Sequence, residues 1–216
     1  MPKQFQPLCG QPLVAHTLQA LAAVPGLTGG VVVTAPDADV FPVPLPPGFE
    51  VANVGGATRA ASVLGGLRWL ARGRANDNDW VLVHDAARCL VTPAEVQALI
   101  ASCLDDDVGG LLALPLADTL KAAVKTADGD HVTATLPRDD KWLAQTPQMF
   151  RLGALARALA AAEPTGFIGI TDEASALEAQ GLKPRLVEGR ASNFKVTYPQ
   201  DFALAEAILA HRKTHP

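Results

Sequence analysis

Short apolar runs alternate along the chain with longer segments of helical periodicity. The runs at 30–34 (GVVVT), 80–84 (WVLVH) and 110–114 (GLLAL) are continuous, as expected of strands buried on both faces. Between them, apolar residues recur at helical spacing, for example at Leu64 and Leu67. Strands that alternate with helices predict one α/β domain, with a mostly parallel sheet and helices on both of its faces.

A helix N-terminus is predicted at Thr92. Thr92 suits the N-cap position, Pro93 the first helical position and Glu95 the third. Further helices are predicted over 13–24 and 202–209, where apolar residues again follow a helical period.

Two segments depart from this alternation. The proline-rich segment 42–48 (PVPLPPG) predicts an extended surface loop. Segment 118–140 alternates polar and apolar residues around a turn signal, Asp128-Gly129, and predicts a β-hairpin that projects from the sheet. A two-stranded arm is marginally stable alone, so we expect it to pack against another surface, most naturally that of a second subunit.

Composition narrows the class of protein. Hydrophobic residues make up 49% and charged residues 19%, which predicts a globular core. The net charge of -4 argues against a general nucleic-acid binder. No apolar run approaches the ~20 residues of a membrane span, and the first residues lack the core of a signal peptide. Three cysteines, without metal-ligand spacing, favour a reducing cytoplasm.

Candidate chemistry lies where strands end, because ligands of open α/β sheets bind beyond the carboxyl ends of strands. Asp85 and Arg88 follow the run at 80–84 and suit a metal ion and a phosphate, or alternatively a surface salt bridge. The pair Gly55-Gly56 leads into a helix, whose N–H groups could meet an anion or a base edge, or the pair could form only a tight turn.

Later segments add weaker signals. Thr171 is predicted as an N-cap, with two acidic residues in the first turn, and this structural role alone would explain TDEAS. Segment 193–197 (NFKVT) predicts a short strand with one lysine, Lys195, which could equally be a solvated surface residue. No histidine has a partner at triad or zinc-ligand spacing. The residues therefore favour an enzyme that positions a phosphoryl-type group for transfer.

Seven segments together resemble the 2-C-methyl-D-erythritol 4-phosphate cytidylyltransferases of the non-mevalonate isoprenoid pathway. In chain order they are PKQFQPLCGQPLVAHTLQAL, GGATRAASVLGGL, VLVHDAARCLV, DTLK, QTPQMF, TDEASALEAQG and LVEGRASNFKVTYPQDFALAE. The resemblance implies a Rossmann-like nucleotidyltransferase sheet with a projecting β-arm, in a homodimer that uses CTP and 2-C-methyl-D-erythritol 4-phosphate.

The resemblance also implies roles for residues at the nucleotide. Lys3 matches a lysine that contacts the CTP phosphates, and Lys195 a second essential lysine near the reacting α-phosphate. Asp85 matches an acidic residue close to Mg²⁺ and substrate. The remaining nucleotide contacts are Gly56 and Ser62 for the cytosine and Ala86 for the ribose.

On the substrate side, the resemblance implies five further residues. Arg88 matches an arginine on the side of the methylerythritol phosphate. Thr119 and Arg138 match arm residues that reach the substrate of the neighbouring subunit. Thr146 and Thr171 match substrate-site threonines.

The chain departs from the family pattern at its start. A strand and a glycine-rich loop of the AAGxGxRMG kind usually precede PKQ, whereas here Met1 directly precedes Pro2. Ala57 and Cys89 also stand where the family often has an acidic residue and a proline. We interpret the first difference as either a natural protein that is longer or a form with impaired triphosphate binding.

Three alternatives stay open at this stage. A ribitol-5-phosphate cytidylyltransferase would share the nucleotide half, although TDEAS and HDAAR favour the methylerythritol enzyme. A sugar-1-phosphate or molybdopterin nucleotidyltransferase is disfavoured by GGATRAAS and NFKVT. A catalytically impaired, dimeric remnant would explain the missing phosphate loop.

Overall fold

Helices and strands alternate along most of the chain. The computed structural model describes residues 2–38 and 41–214. In these ranges the α-helices are α1 (Leu13–Ala22), α2 (Arg59–Leu70), α3 (Pro93–Cys103), α4 (Leu152–Ala162), α5 (Glu173–Glu178) and α6 (Pro199–Thr214). The strands are β1 (Pro7–Leu8), β2 (Gln11–Pro12), β3 (Gly30–Val33), β4 (Phe49–Ala52), β5 (Trp80–Val83), β6 (Gly109–Pro115), β7 (Leu120–Thr126), β8 (Gly129–Leu136), β9 (Trp142–Arg151) and β10 (Arg185–Glu188). The three apolar runs are thus β3, β5 and β6, as predicted.

The central sheet has the order β10-β6-β9-β5. Strand β10 is parallel to β6, whereas β9 is antiparallel to both β6 and β5. Three strands therefore run in one direction, as the prediction of a mostly parallel sheet requires, but β9 was not predicted and lies among them in the opposite direction. The reason is the connection: no helix lies between β6 and β9, and a parallel return would need such a crossover.

Helices cover both faces of this sheet, as predicted. On one face, Leu111 of β6 and Phe150 of β9 pack with buried residues of α2, α4 and α5. On the other face, the adjacent residues Leu112 and Met149 pack with Leu99 of α3 and its neighbours. Successive strand residues point to opposite faces, so each strand contributes to two hydrophobic clusters.

The starts of α3 and α5 show how local chemistry fixes helix ends. At α3 the predicted N-cap is confirmed: Thr92 and Glu95 form a reciprocal capping box. At α5 the prediction of Thr171 was wrong, because Asp172 is the N-cap. Its carboxylate accepts from the Ser175 N–H at 2.9 Å, while the Ser175 hydroxyl accepts from the Asp172 N–H at 3.1 Å. The Thr171 N–H also donates to the Ser175 hydroxyl at 3.0 Å, but the side chain that caps the helix is that of Asp172.

The predicted arm forms an antiparallel hairpin of β7 and β8, separate from the central sheet. Its two-residue turn is 127–128, and Gly129, with a φ of 133°, is the first residue of β8. Val124 and Val132 are 49% and 64% exposed, so the arm carries apolar side chains that nothing in the described chain covers. Dimerisation through this arm stays a prediction.

Two further features concern surfaces. Segment 42–48 has no helix or strand, as predicted, although Val43 is buried against Val14 and Leu18 of α1. Within the described ranges, the helices are too short or too polar to cross a membrane.

Candidate active site

The charged centre of the molecule lies just beyond the carboxyl end of β5. Asp85 follows this strand and is only 14% exposed in its side chain. Its Oδ2 lies 2.7 Å from the Lys195 Nζ, and its Oδ1 accepts from the Arg59 Nε at 2.8 Å. Two residues that the sequence analysis had singled out, Asp85 and Lys195, are therefore in direct contact.

These contacts decide the charge of Asp85. Burial works against an ionised carboxyl, but Arg59 and Lys195 outweigh it and lower the pKa of Asp85 to about 2. Asp85 is therefore ionised at neutral pH, and both of its oxygens are held by cations. Such a carboxylate orients the lysine beside it and does not act as a general base at neutral pH.

Lys195 lies on an extended coil, so the predicted strand at 193–197 was wrong. Within the described ranges, no residue of this segment pairs with a strand. It is anchored instead by Val196, which is fully buried and donates its N–H to the Ala87 carbonyl at 2.8 Å. The backbone is thus fixed beside the end of β5, while the Lys195 side chain keeps 43% exposure.

His84 and Thr146 hold the end of β5 in place. The Thr146 hydroxyl accepts from the Asp85 N–H at 3.0 Å and lies 3.0 Å from the His84 Nδ1. The His84 Nε2 lies 3.1 Å from the Arg88 carbonyl, which can only accept, so the network assigns the proton to Nε2. Burial lowers the pKa of His84 to about 4, which keeps the ring neutral. Thr146, predicted as a substrate threonine, thus has its hydroxyl engaged within the protein.

Arg88 points back into the protein. Its guanidinium donates to the carbonyls of Asn193 at 2.7 Å and Ala144 at 3.2 Å. These bonds join the loop after β5 to β9 and to the segment that carries Lys195. A substrate contact by Arg88 stays a prediction.

The glycine pair forms a tight loop that leads into α2. A side chain at Gly55 would meet the Thr34 carbonyl oxygen at 2.7 Å, which explains the glycine there. The Ser62 hydroxyl accepts from the Gly56 N–H at 3.0 Å and donates to the Thr58 carbonyl at 2.9 Å. Ser62 therefore holds the loop that was predicted to recognise the cytosine.

The remaining predicted residues take part in none of the contacts described so far at this site. Lys3 is in a 3-10 turn, Lys3–Phe5, and its charge acts on Asp201. Ala86 follows Asp85, and its carbonyl accepts from the Thr17 hydroxyl at 2.7 Å. The remaining three are exposed, Thr119 and Arg138 at the base of the arm and Thr171 before α5.

The sequence analysis missed Arg59 and Glu173 as functional residues. The Arg59 Nη1 and Nη2 lie 2.6 and 3.0 Å from the two carboxylate oxygens of Glu173, a bidentate pair between residues 114 apart in sequence. Glu173 is 1% exposed, and we had interpreted it only as a first-turn acid. Arg59 lies within GGATRAAS and Glu173 within TDEAS. Their place in these motifs was the only signal that the sequence offered.

The side chains at this site could bind a divalent cation only together with ligands from a substrate. Within residues 2–38 and 41–214, no three acidic, histidine or cysteine side chains form a group that could hold a metal. One carboxylate, Asp85, lies at the strand end. Mg²⁺ commonly binds one or two carboxylates together with water and substrate phosphates. The site therefore fits a cation held chiefly by the nucleotide.

With this geometry established, comparisons identify the family. The family model for IspD, 2-C-methyl-D-erythritol 4-phosphate cytidylyltransferase, matches residues 1–211. The chain belongs to this family. The enzyme from Chromobacterium violaceum is 56% identical over 214 residues, which cover 98% of this chain and 91% of that protein. The bifunctional IspD/IspF enzyme of Albidiferax ferrireducens is 58% identical over 215 residues, and the chain spans 50% of its length.

Solved structures of this family have the same fold. A crystal structure of a 4-diphosphocytidyl-2C-methyl-D-erythritol synthase superimposes with a TM-score of 0.84 and 37% identity, covering 96% of this chain and 94% of that one. The Francisella tularensis cytidylyltransferase gives a TM-score of 0.81 and 33% identity, with 96% and 93% coverage. The predicted α/β nucleotidyltransferase fold is confirmed, and the ribitol-phosphate and remnant alternatives are not favoured.

Proposed function

We propose that this chain transfers the cytidylyl group of CTP to 2-C-methyl-D-erythritol 4-phosphate, in the biosynthesis of isoprenoid precursors. The products are 4-diphosphocytidyl-2-C-methyl-D-erythritol and pyrophosphate. The observation that carries the proposal for the site is the ion pair between Lys195 and Asp85 at the carboxyl end of β5, at 2.7 Å. Family membership supplies the substrates.

The reaction needs charge stabilisation more than proton transfer. An oxygen of the 4-phosphate forms a bond to the α-phosphorus of CTP, and the bond from that phosphorus to the bridging oxygen breaks as pyrophosphate leaves. The nucleophile is already an anion, so no side chain has to remove a proton. Negative charge builds on the α-phosphate oxygens, and a fixed cation placed there lowers the barrier.

Lys195 is the residue proposed for this task. Its backbone is anchored through Val196, and its ammonium is held by Asp85, so its charge is oriented before the nucleotide binds. Lys3 is proposed to contact the outer phosphates. Mg²⁺ or another divalent cation, held by those phosphates beside Asp85, would neutralise part of the triphosphate charge.

The other predicted contacts remain proposals of the same kind. We assign Gly56, Ser62 and Ala86 to the nucleoside. The methylerythritol phosphate is assigned to Arg88, Thr119, Arg138, Thr146 and Thr171. For Thr146 the contacts with His84 and Asp85 support a positioning role.

We also propose a homodimer and a cytoplasmic location. Thr119 and Arg138 flank the arm, whose exposed Val124 and Val132 suit burial on a second copy. In such a dimer each arm would bring these polar residues to the partner's site. Cys9, Cys89 and Cys103 are free, which suits a reducing compartment.

The test is pyrophosphate release from CTP, with the product identified by ³¹P NMR. It is run on the 216-residue chain and on the same chain preceded by the strand and glycine-rich loop of a relative. We expect methylerythritol phosphate to be used at least ~100-fold more efficiently than ribitol 5-phosphate, since a site built around one polyol phosphate rejects a mismatched one strongly. Preference for ribitol 5-phosphate, or no transfer in either form, would overturn the proposal.

A further inference from the structure

Four charged side chains form a line from the protein interior to the proposed phosphate site. Glu173 holds the Nη1 and Nη2 of Arg59, Arg59 holds one oxygen of Asp85, and the other oxygen of Asp85 holds Lys195. The two ends differ most in exposure: Glu173 is 1% exposed and Lys195 43%, with Arg59 at 33% and Asp85 at 14% between them. Two anions and two cations alternate, so the line has no net charge.

Glu173 is the fixed end of this line. It is the first residue of α5, and the Gln148 side chain ties that end of the helix to β9. The Gln148 Oε1 accepts from the Ala174 N–H at 2.8 Å, and its Nε2 donates to the Asp172 Oδ2 at 2.8 Å. Gln148 is itself 1% exposed, so this anchor lies in the packed interior.

Arg59 has all three of its nitrogens engaged. Glu173 accepts from Nη1 and Nη2, and Asp85 accepts from Nε through Oδ1 alone. This orientation matters because a guanidinium that turned could bind one carboxylate through Nε and a neighbouring Nη. The two bonds to Glu173 restrain the guanidinium in the orientation in which Arg59 contacts one oxygen of Asp85.

The position of the Lys195 ammonium depends on this orientation of Arg59. It stands on a coil, and its side chain is held at Asp85 by the oxygen that Arg59 leaves available. A flexible lysine stem with 43% exposure would otherwise sample many rotamers.

We propose that Glu173 and Arg59 are positioning residues of the transfer reaction: Glu173 restrains Arg59 so that one oxygen of Asp85 remains to orient the Lys195 ammonium. In this role both residues act through Asp85 and Lys195. The kinetic part of this inference rests on the proposed function, whereas the orientation of Lys195 can be tested without any turnover.

The test compares Glu173→Gln with Glu163→Gln. Glu163 is a matched control, because it forms a similar bidentate pair with Arg68 of α2, at 2.7 and 3.0 Å, but on the surface. The first measurement is the acylation rate of Lys195 in a chelator-containing buffer, followed by peptide mass spectrometry. An ammonium released from a carboxylate loses protection, so Glu173→Gln should raise the rate roughly threefold or more, whereas Glu163→Gln should leave it unchanged.

The second measurement is steady-state kinetics with both substrates. Substituting a residue that orients a functional group commonly changes activity by about 10-fold or more. Glu173→Gln should therefore lower kcat about 10-fold per folded molecule, with little change in the KM for CTP, and Glu173→Asp should recover part of it. If Glu173 only stabilised the fold, Glu173→Gln would lower the melting temperature without lowering kcat per folded molecule.

The results distinguish the positioning role of Glu173 from the proposed cytidylyl transfer. Wild-type acylation of Lys195 in folded Glu173→Gln overturns the positioning role, whatever the activity. If Glu173→Gln does not fold, Glu173→Asp decides, because its carboxylate is one methylene shorter and should restore the restraint on Arg59 only in part. Acylation and kcat that both equal the wild-type values in Glu173→Asp would then overturn the inference. A rise in acylation, with no cytidylyl transfer by the wild-type chain either alone or preceded by the relative's strand and loop, would retain the positioning and refute the function.

Discussion

The hydroxyl of Thr146 offers a sharp test of how the end of β5 is held. Thr146→Val keeps the volume and shape of the side chain but removes both contacts of the hydroxyl. The Asp85 N–H loses its acceptor at 3.0 Å, and the neutral His84 Nδ1 loses its donor at 3.0 Å. Thr146 is 5% exposed, so water cannot easily replace the hydroxyl.

The magnitude follows from two unpaired groups. A buried donor or acceptor without a partner costs about 1–3 kcal/mol, so the variant with two such groups should lose about 2–6 kcal/mol in the free energy of unfolding. A loss of about 3 kcal/mol corresponds to a melting temperature lower by about 6–12 °C for a domain of this size. This is a large share of the stability of an ordinary domain.

Urea unfolding followed by circular dichroism, together with calorimetry, measures this loss. Thr165→Val is the matched control, because the Thr165 hydroxyl also makes a hydrogen bond, donating to the Ala162 carbonyl at 2.8 Å, but is exposed. We expect the control to stay within about 0.5 kcal/mol of wild type. If Thr146→Val is equally neutral, the hydroxyl does not hold His84 and Asp85, and the assigned tautomer is wrong.

Four further predictions concern catalysis, assembly and thiol reactivity. Lys195→Ala should lower kcat by ~10² or more with little change in KM; a large rise in KM at constant kcat would reject a transition-state role. Asp85→Asn should raise the metal concentration required and depress turnover while the circular dichroism spectrum stays native, and unchanged metal-dependent activity would defeat this. Deleting 123–133 should give a monomer by light scattering and weaken substrate binding more than CTP binding; an unchanged dimer would place the interface elsewhere. Burial raises the pKa of Cys89 and Cys103 to about 11, so at pH 8 both should react with iodoacetamide only after urea unfolding, and rapid labelling of the native protein would contradict their burial.

The sequence determined what depends on neighbouring residues. Runs of apolar residues identified β3, β5 and β6, and the Thr92 capping box identified the start of α3, because periodicity and capping act over a few positions. The hairpin of the arm followed from alternation around a turn for the same reason. The motifs also singled out Asp85 and Lys195, although nothing in their spacing predicted that they touch.

Only the tertiary structure decided which distant residues meet. It placed β9 antiparallel within the sheet, because the chain returns from the arm without a helical crossover. It left the segment around Lys195 as a coil, which pairs with no strand in the part of the chain that the structure describes. It joined Arg59 to Glu173 across 114 residues, a pair that no local pattern encodes. Charges that are distant in sequence become partners only when the fold brings them together, and that depends on packing over the whole chain.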